Sequence, residues 1–104
     1  MLKTVCTCSA CPEQYDIYED KKLVAYVRLR WGHLTVSPYE GDHISDIIIY
    51  EKTYSDKFKG CFDDEEERQE TMDFILMLVN DYLTLAKLKE KLSWFLLFFM
   101  LIFN

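Results

Sequence analysis

The chain has 104 residues, half of them hydrophobic and 15% aromatic, with three Gly and two Pro, which excludes a disordered or low-complexity polypeptide and gives enough apolar matter for one core. A formal net charge of -6 argues against binding to a nucleic-acid backbone, which needs clustered Lys and Arg, so no nucleic-acid partner is expected. The acidity is local: residues 63–73 hold seven Asp or Glu against one Arg, a net of -6, while the remaining stretches nearly balance.

The opening residues MLKTVCTCSACPEQY lack an apolar core of the length that a secretory signal needs, so a cytoplasmic, reducing setting is expected. In that setting four cysteines point to free thiols or a metal rather than bridges. Cys6, Cys8 and Cys11 form a C-x-C-x-x-C array, and thiolates at this spacing can converge on zinc, with Cys61 or His33 as a fourth ligand. The second half of a usual structural zinc site is missing, and small cysteines at a strand start remain the simpler reading. A thioredoxin-like role would need a helix after the C-x-x-C, whereas Pro12, Glu13 and Gln14 lead into a strand.

Residues 14–18 (QYDIY) alternate and predict a short strand, followed by a polar break over residues 19–22 (EDKK) of a type common between paired strands. Residues 23–36 (LVAYVRLRWGHLTV) alternate most strictly. Leu23, Ala25, Val27, Leu29 and Trp31 share one parity, and Val24, Tyr26, Arg28 and Arg30 the other, which predicts a strand with one apolar face and one face ending in two arginines. Gly32 and His33 break the pattern and residues 34–37 resume it, so a central hairpin is expected, with Pro38 closing the ladder. Gly41 suits a loop, and the run Ile47, Ile48, Ile49 and Tyr50 predicts a fourth strand covered on both faces.

Asp63 and Glu66 have the D-x-x-E spacing of a capping box, and Asp64, Glu65 and Glu67 add charge favoured at the positive end of a helix dipole. Met72, Ile75, Leu76, Val79, Leu83 and Ala86 then recur at three- and four-residue steps, a stripe that can lie on the sheet. Lys87, Lys89 and Lys91 suit a helix C-terminus. The expected architecture is α+β, a small four-stranded and mostly antiparallel meander with one long C-terminal helix packed on it. Residues 1–91 form the domain, and residues 92–104 are an apolar tail.

Within the tail, residues 92–103 (LSWFLLFFMLIF) contain Ser93 as the one polar member, and this run is shorter than the roughly 20 residues needed to span a bilayer. Trp94, Phe95, Phe98 and Phe99 would then meet a membrane surface, a second copy in a homodimer, or the outer face of the sheet. Tyr26, Arg28 and Arg30, joined by His33 beside the turn, form a candidate site, because paired guanidinium groups beside an aromatic ring grip a phosphate or carboxylate. The competing reading has these arginines paired with Glu13, Asp16 or the acidic helix start. No nucleophile elbow, zinc-protease helix or phosphate loop occurs, and enzyme activity is not expected.

The segment CSACPEQYDIYEDKKLVAYVRLRWGHLTV resembles a group of small uncharacterised proteins encoded by bacteriophages and prophages of Gram-positive bacteria. The shared features are the opening Cys11, Pro12, Glu13, Gln14 and Tyr15, the acidic turn over residues 19–22, and the Y-x-R-L-R-x-G strand from Tyr26 to Gly32. The likeness continues through residues 60–64 (GCFDD) and the helix beyond, covering about residues 6–86, and leaves out the terminal LSWFLLFFMLIFN. It implies no activity and no site residue. It does imply a soluble accessory protein acting inside a bacterial cell against a host factor; together with the arginine face read above, a non-enzymatic binding protein for a host protein or a small anionic ligand is expected.

Overall fold

A computed structural model describes residues 1–8 and 10–103; Ser9 of the cysteine array and Asn104 at the end of the expected tail lie outside the described residues. The architecture is α+β. Strands β1 (Leu2–Cys8), β2 (Glu13–Glu19), β3 (Lys22–Arg30) and β4 (His33–Glu40) form an antiparallel meander, and β5 (His43–Ile44) and β6 (Tyr50–Thr53) both pair with β4. Helix α1 (Glu65–Phe103) follows.

The alternation expected of residues 23–31 is realised from Ala25 to Arg30: Ala25, Val27 and Leu29 are buried against the helix. The register steps from Ile17↔Ala25 to Tyr18↔Leu23, which leaves Val24 as the extra residue of a bulge, buried beside Ala25 rather than on the outer face. From the neighbouring strands Tyr15, Ile17, Leu34 and Val36 complete the inner face, and Met72, Ile75 and Val79 of α1 close over it. Leu76 and Leu83 flank this stripe, whereas Ala86 is exposed, so the packed part of the helix ends about one turn earlier than its sequence suggests.

Trp31 does not continue the apolar face. Trp31 and Gly32 have φ of 54° and 68°, the paired positive values of a type I′ hairpin turn, and this geometry ends the pleat and turns the indole outward, 64% exposed. The Gly32 amide donates to the Lys59 carbonyl at 2.8 Å, and its carbonyl accepts from the Tyr54 amide at 2.7 Å, so the loop over residues 54–62 is laced to the turn. A Cβ at position 32 would stand 2.4 Å from the Asp56 carbonyl oxygen. Gly32→Ala is therefore expected to lower stability by about 1–3 kcal/mol, the range for a strained backbone position, measured as a fall in the urea midpoint.

Among the described residues the sheet has six strands rather than the expected four. β1 was not marked by an apolar parity because it is an edge strand with Val5 and Cys6 exposed, formed by backbone pairing with β2. The isoleucine triplet is not a strand: Ile47 and Ile48 lie exposed in the connection after β5, and the ladder to β4 starts one residue beyond Ile49, at Tyr50↔Val36. Pro38 does not end β4, since its carbonyl still accepts from the Ser45 amide at 2.8 Å and the strand runs on to Glu40.

The helix cap falls one residue later than the D63–E66 spacing suggests. The Asp64 carboxylate accepts from the Glu67 amide at 2.8 Å, and Glu67 reaches back to the Asp63 amide at 3.2 Å. Asp63 instead meets the Lys59 ammonium at 2.7 Å, with Glu67 3.1 Å away. Burial alone would depress the Lys59 pKa, but these two carboxylates hold it above the ordinary lysine value. Lys87, Lys89 and Lys91 do not terminate the helix, which runs through to Phe103 with no basic residue in its last turn. Lys87 reaches Glu19 at 3.1 Å. Beyond it the helix leaves the sheet, and the radius of gyration is 16.9 Å, against about 13 Å for a compact domain of this length.

Candidate functional site

The β3–β4 hairpin presents Tyr26, Arg28, Arg30 and His33 on the sheet face opposite the helix, with Arg28 across from Thr35 and Arg30 across from His33. Neighbouring strands bring Gln14 beside Arg28 and Asp16 beside Tyr26. The Tyr26 hydroxyl donates to Gln14 Oε1 at 2.8 Å, the Tyr39 hydroxyl donates to Asp16 Oδ1 at 3.0 Å, and the two rings meet edge to face at 6.5 Å. Burial, reinforced by the Asp16 hydrogen bond, pushes the Tyr39 pKa up to about 12; burial also raises Tyr26, with Arg28 pulling the other way. This is a fixed polar platform, its tyrosines neutral across the physiological range.

The internal ion pairs anticipated for the arginines are not made. Asp16 is engaged by Tyr39. Glu13 lies on the inner face, 2% exposed, where its carboxylate accepts from Arg68 Nε at 2.8 Å, the Phe62 amide at 2.6 Å and the Tyr15 hydroxyl at 2.9 Å. At the helix start Arg68 also takes Glu65, and Lys59 takes Asp63 and Glu67. Among the described residues, Arg28 and Arg30 form no salt bridge, and the Arg30 guanidinium stands 5.8 Å from the Trp31 ring centre. His33 is held by Glu51 across the β4–β6 pair, Nε2 to Oε2 at 3.2 Å.

At the turn, the platform runs into an open cleft of about 380 Å³ lined by Arg30, Trp31, Phe58, Cys11, Pro12 and Gly60. Trp31 and Phe58 meet edge to face at 6.3 Å, and both are largely exposed. A cation beside two aromatic rings suits an anionic group attached to a flat or apolar body. Sequence alternation missed Trp31 because it assigned the indole to the core, and it missed Phe58 because a lone aromatic in a polar loop carries no periodic signal. Glu13 was legible in principle: it shares parity with Tyr15 and Ile17 and so must face inward.

The cysteines take a different form from the expected thiols or zinc site. Cys11 is bonded to Cys61, with Cα atoms 5.2 Å apart across 50 residues of sequence, while Cys6 and Cys8 are free on β1. With Cys11 committed, the C-x-C-x-x-C array cannot place three thiolates on one ion. Among the described residues, no group of three or more His, Cys, Asp or Glu side chains is placed to hold a metal. A structural disulfide of this kind persists in oxidising surroundings, whereas a reducing cytoplasm would keep the dithiol.

The tail does not cover the platform. Trp94, Phe95, Phe98 and Phe99 lie on the projecting end of α1, each at least half exposed, so the arginine face and the tail do not compete for space. Among the described residues no helix is long and apolar enough to cross a membrane. Comparison with protein-family models, curated proteins and solved structures gives no match to the chain.

Proposed function

We propose that the protein is a non-enzymatic binding module that takes an acidic group, from a host protein or a small anionic ligand, on Tyr26, Arg28, Arg30 and His33. The observation that carries this reading is that, among the described residues, Arg28 and Arg30 on the sheet face opposite the helix form no salt bridge, although the chain is acidic overall. Two guanidinium groups project from one side of a strand, and a ligand spanning them gains charge-assisted hydrogen bonds that water alone does not replace. Trp31 and Phe58 extend the contact beyond the charge. The resemblance over residues 6–86 supports a bacteriophage or prophage origin and a role as an accessory factor in a bacterial host.

The test is a titration of the Trp31 emission, in a Trp94→Phe background, with inorganic phosphate and separately with an oligoglutamate peptide. Arg28→Ala with Arg30→Ala is expected to weaken whichever probe binds by about tenfold or more, since each lost charged hydrogen bond is worth about 1.5–3 kcal/mol. The same double variant should unfold within about 0.5 kcal/mol of the parent, because neither arginine supports the fold through an ion pair. Unchanged affinity in the double variant would remove the site. Preference for the peptide favours a protein partner, and preference for phosphate a small ligand.

A further inference from the structure

The projecting end of α1 has a property that no one-sided interface explains. Trp94, Phe95, Leu96, Leu97, Phe98, Phe99, Met100, Leu101 and Ile102 are consecutive, and each is 50–82% exposed. At about 100° per residue, nine consecutive positions go round the helix more than twice, so the apolar surface has no polar side. A second copy packed as a helical pair would cover one face and leave the other in water. Lipid surrounds such a rod on all sides.

The dimensions set how the helix engages a bilayer. Twelve apolar-run residues, 92–103, extend about 18 Å, deeper than a headgroup layer and well short of the roughly 30 Å hydrocarbon thickness. Ser93, the polar member of the run, donates its hydroxyl to the Lys89 carbonyl at 3.1 Å and so brings no unpaired donor into lipid. The turn between the packed helix and the run carries Lys87, Lys89 and Lys91 around one acid, Glu90, a net of +2, with Lys87 tied to Glu19 at the edge of the sheet. A lysine collar followed by a tryptophan is the order that a polar headgroup layer and the interface beneath it require.

The acidic block does not oppose this contact. Asp73, its nearest member, is sixteen residues from Lys89, about 24 Å along the helix, against a screening length near 8 Å in physiological salt. We propose that residues 92–103 form a monolayer anchor, inserting obliquely into one leaflet of an anionic bilayer with Lys87, Lys89 and Lys91 at the phosphates.

Flotation of the full chain tests the anchor, with vesicles of phosphatidylcholine alone or mixed with phosphatidylserine, in a Trp31→Phe background that leaves Trp94 as the reporter. The chain should float with the vesicles, more strongly with phosphatidylserine, and the Trp94 emission should shift to the blue. Lys89→Gln with Lys91→Gln should weaken binding to the mixed vesicles about 30-fold, and Leu97→Asp with Phe98→Asp should abolish flotation while leaving the thermal unfolding of the sheet domain in place. Failure to float would overturn the proposal. So would flotation that survives the aspartates, or a blue shift without lipid that accompanies a stable oligomer, the signature of a second copy on the tail. Equal binding to both vesicle types, unaffected by the lysine changes, would equally overturn the anionic anchor as stated.

Discussion

Replacing Glu13 with alanine should lower the unfolding free energy by about 3–5 kcal/mol, the range seen when one member of a buried charged network is removed. For a domain whose whole stability is about 5–15 kcal/mol, this is a change that equilibrium urea unfolding resolves easily. The size follows from what is left behind. Without the carboxylate, the Phe62 amide and the Tyr15 hydroxyl lose their acceptors, and the Arg68 guanidinium loses its anchor to the sheet. Glu13→Gln keeps acceptor oxygen at nearly the same place and should cost less, about 1–2 kcal/mol.

The same residue sets a pH signature. Burial pushes the Glu13 pKa up, but the Arg68 contact, the Phe62 amide and the Tyr15 hydroxyl together hold it below the ordinary carboxylate value. Because the folded value is the lower one, the unfolded chain binds the extra proton in the window between the two, and stability rises with pH there. The contribution is complete above the unfolded value, about 4.3, and is lost as pH falls through the depressed folded value. Asp63, depressed by Lys59, acts in the same direction, so Glu13→Gln should flatten the acid limb of a stability–pH curve without abolishing it.

The contrast between Glu13 and the arginines shows which parts of the fold a linear reading reaches. Alternation over residues 23–30 was enough to place Ala25, Val27 and Leu29 inside and Arg28 and Arg30 outside, because one parity is wholly apolar and any other register would bury a guanidinium. It was not enough to say what the arginines meet. Their expected partners, Glu13 and Asp16, are close in sequence, but Glu13 is claimed by Arg68, 55 residues away. A competition of that kind is decided by tertiary packing of the helix start on the sheet, which no local pattern encodes.

The other departures have the same origin. In the acidic run over residues 63–67, two D-x-x-E pairs offer the helix two starts one residue apart, and Lys59 selects between them by binding Asp63. The Ile47–Ile49 hydrophobicity suggested a covered strand, but the short β4–β5 hairpin diverts the chain so that only Ile49 reaches the core. Trp31 had the right parity and the wrong backbone: its positive φ takes it out of the strand. That displacement moves an aromatic ring from the anticipated core to the mouth of the cleft, where it stands next to Arg30.

The Cys11–Cys61 bond joins the start of β2 to the segment leading into α1, and breaking it should cost about 4 kcal/mol. The bond closes a loop across 50 residues, and the entropy that such a closure removes from the unfolded chain is of this order. Cys61→Ala, or reduction of the parent, should therefore lower the urea midpoint by a similar amount, and reduction should change nothing further in the variant. The effect reaches the cleft as well, because Cys11 and Gly60 are part of its wall and the loop after β6, bonded to the hairpin turn, carries Phe58. Loosening that loop should weaken anion binding at Arg30 even with both arginines in place, a loss that Arg28→Ala with Arg30→Ala cannot add to fully if one cleft is responsible. Thiol labelling under acid quench, on protein taken directly from cells, identifies the working form: two reactive cysteines, Cys6 and Cys8, for the bonded chain, and four for the dithiol. A count of four that persists in air, with an unchanged urea midpoint in Cys61→Ala, would show that the helix start is held to the sheet by the Glu13, Arg68 and Lys59 contacts alone.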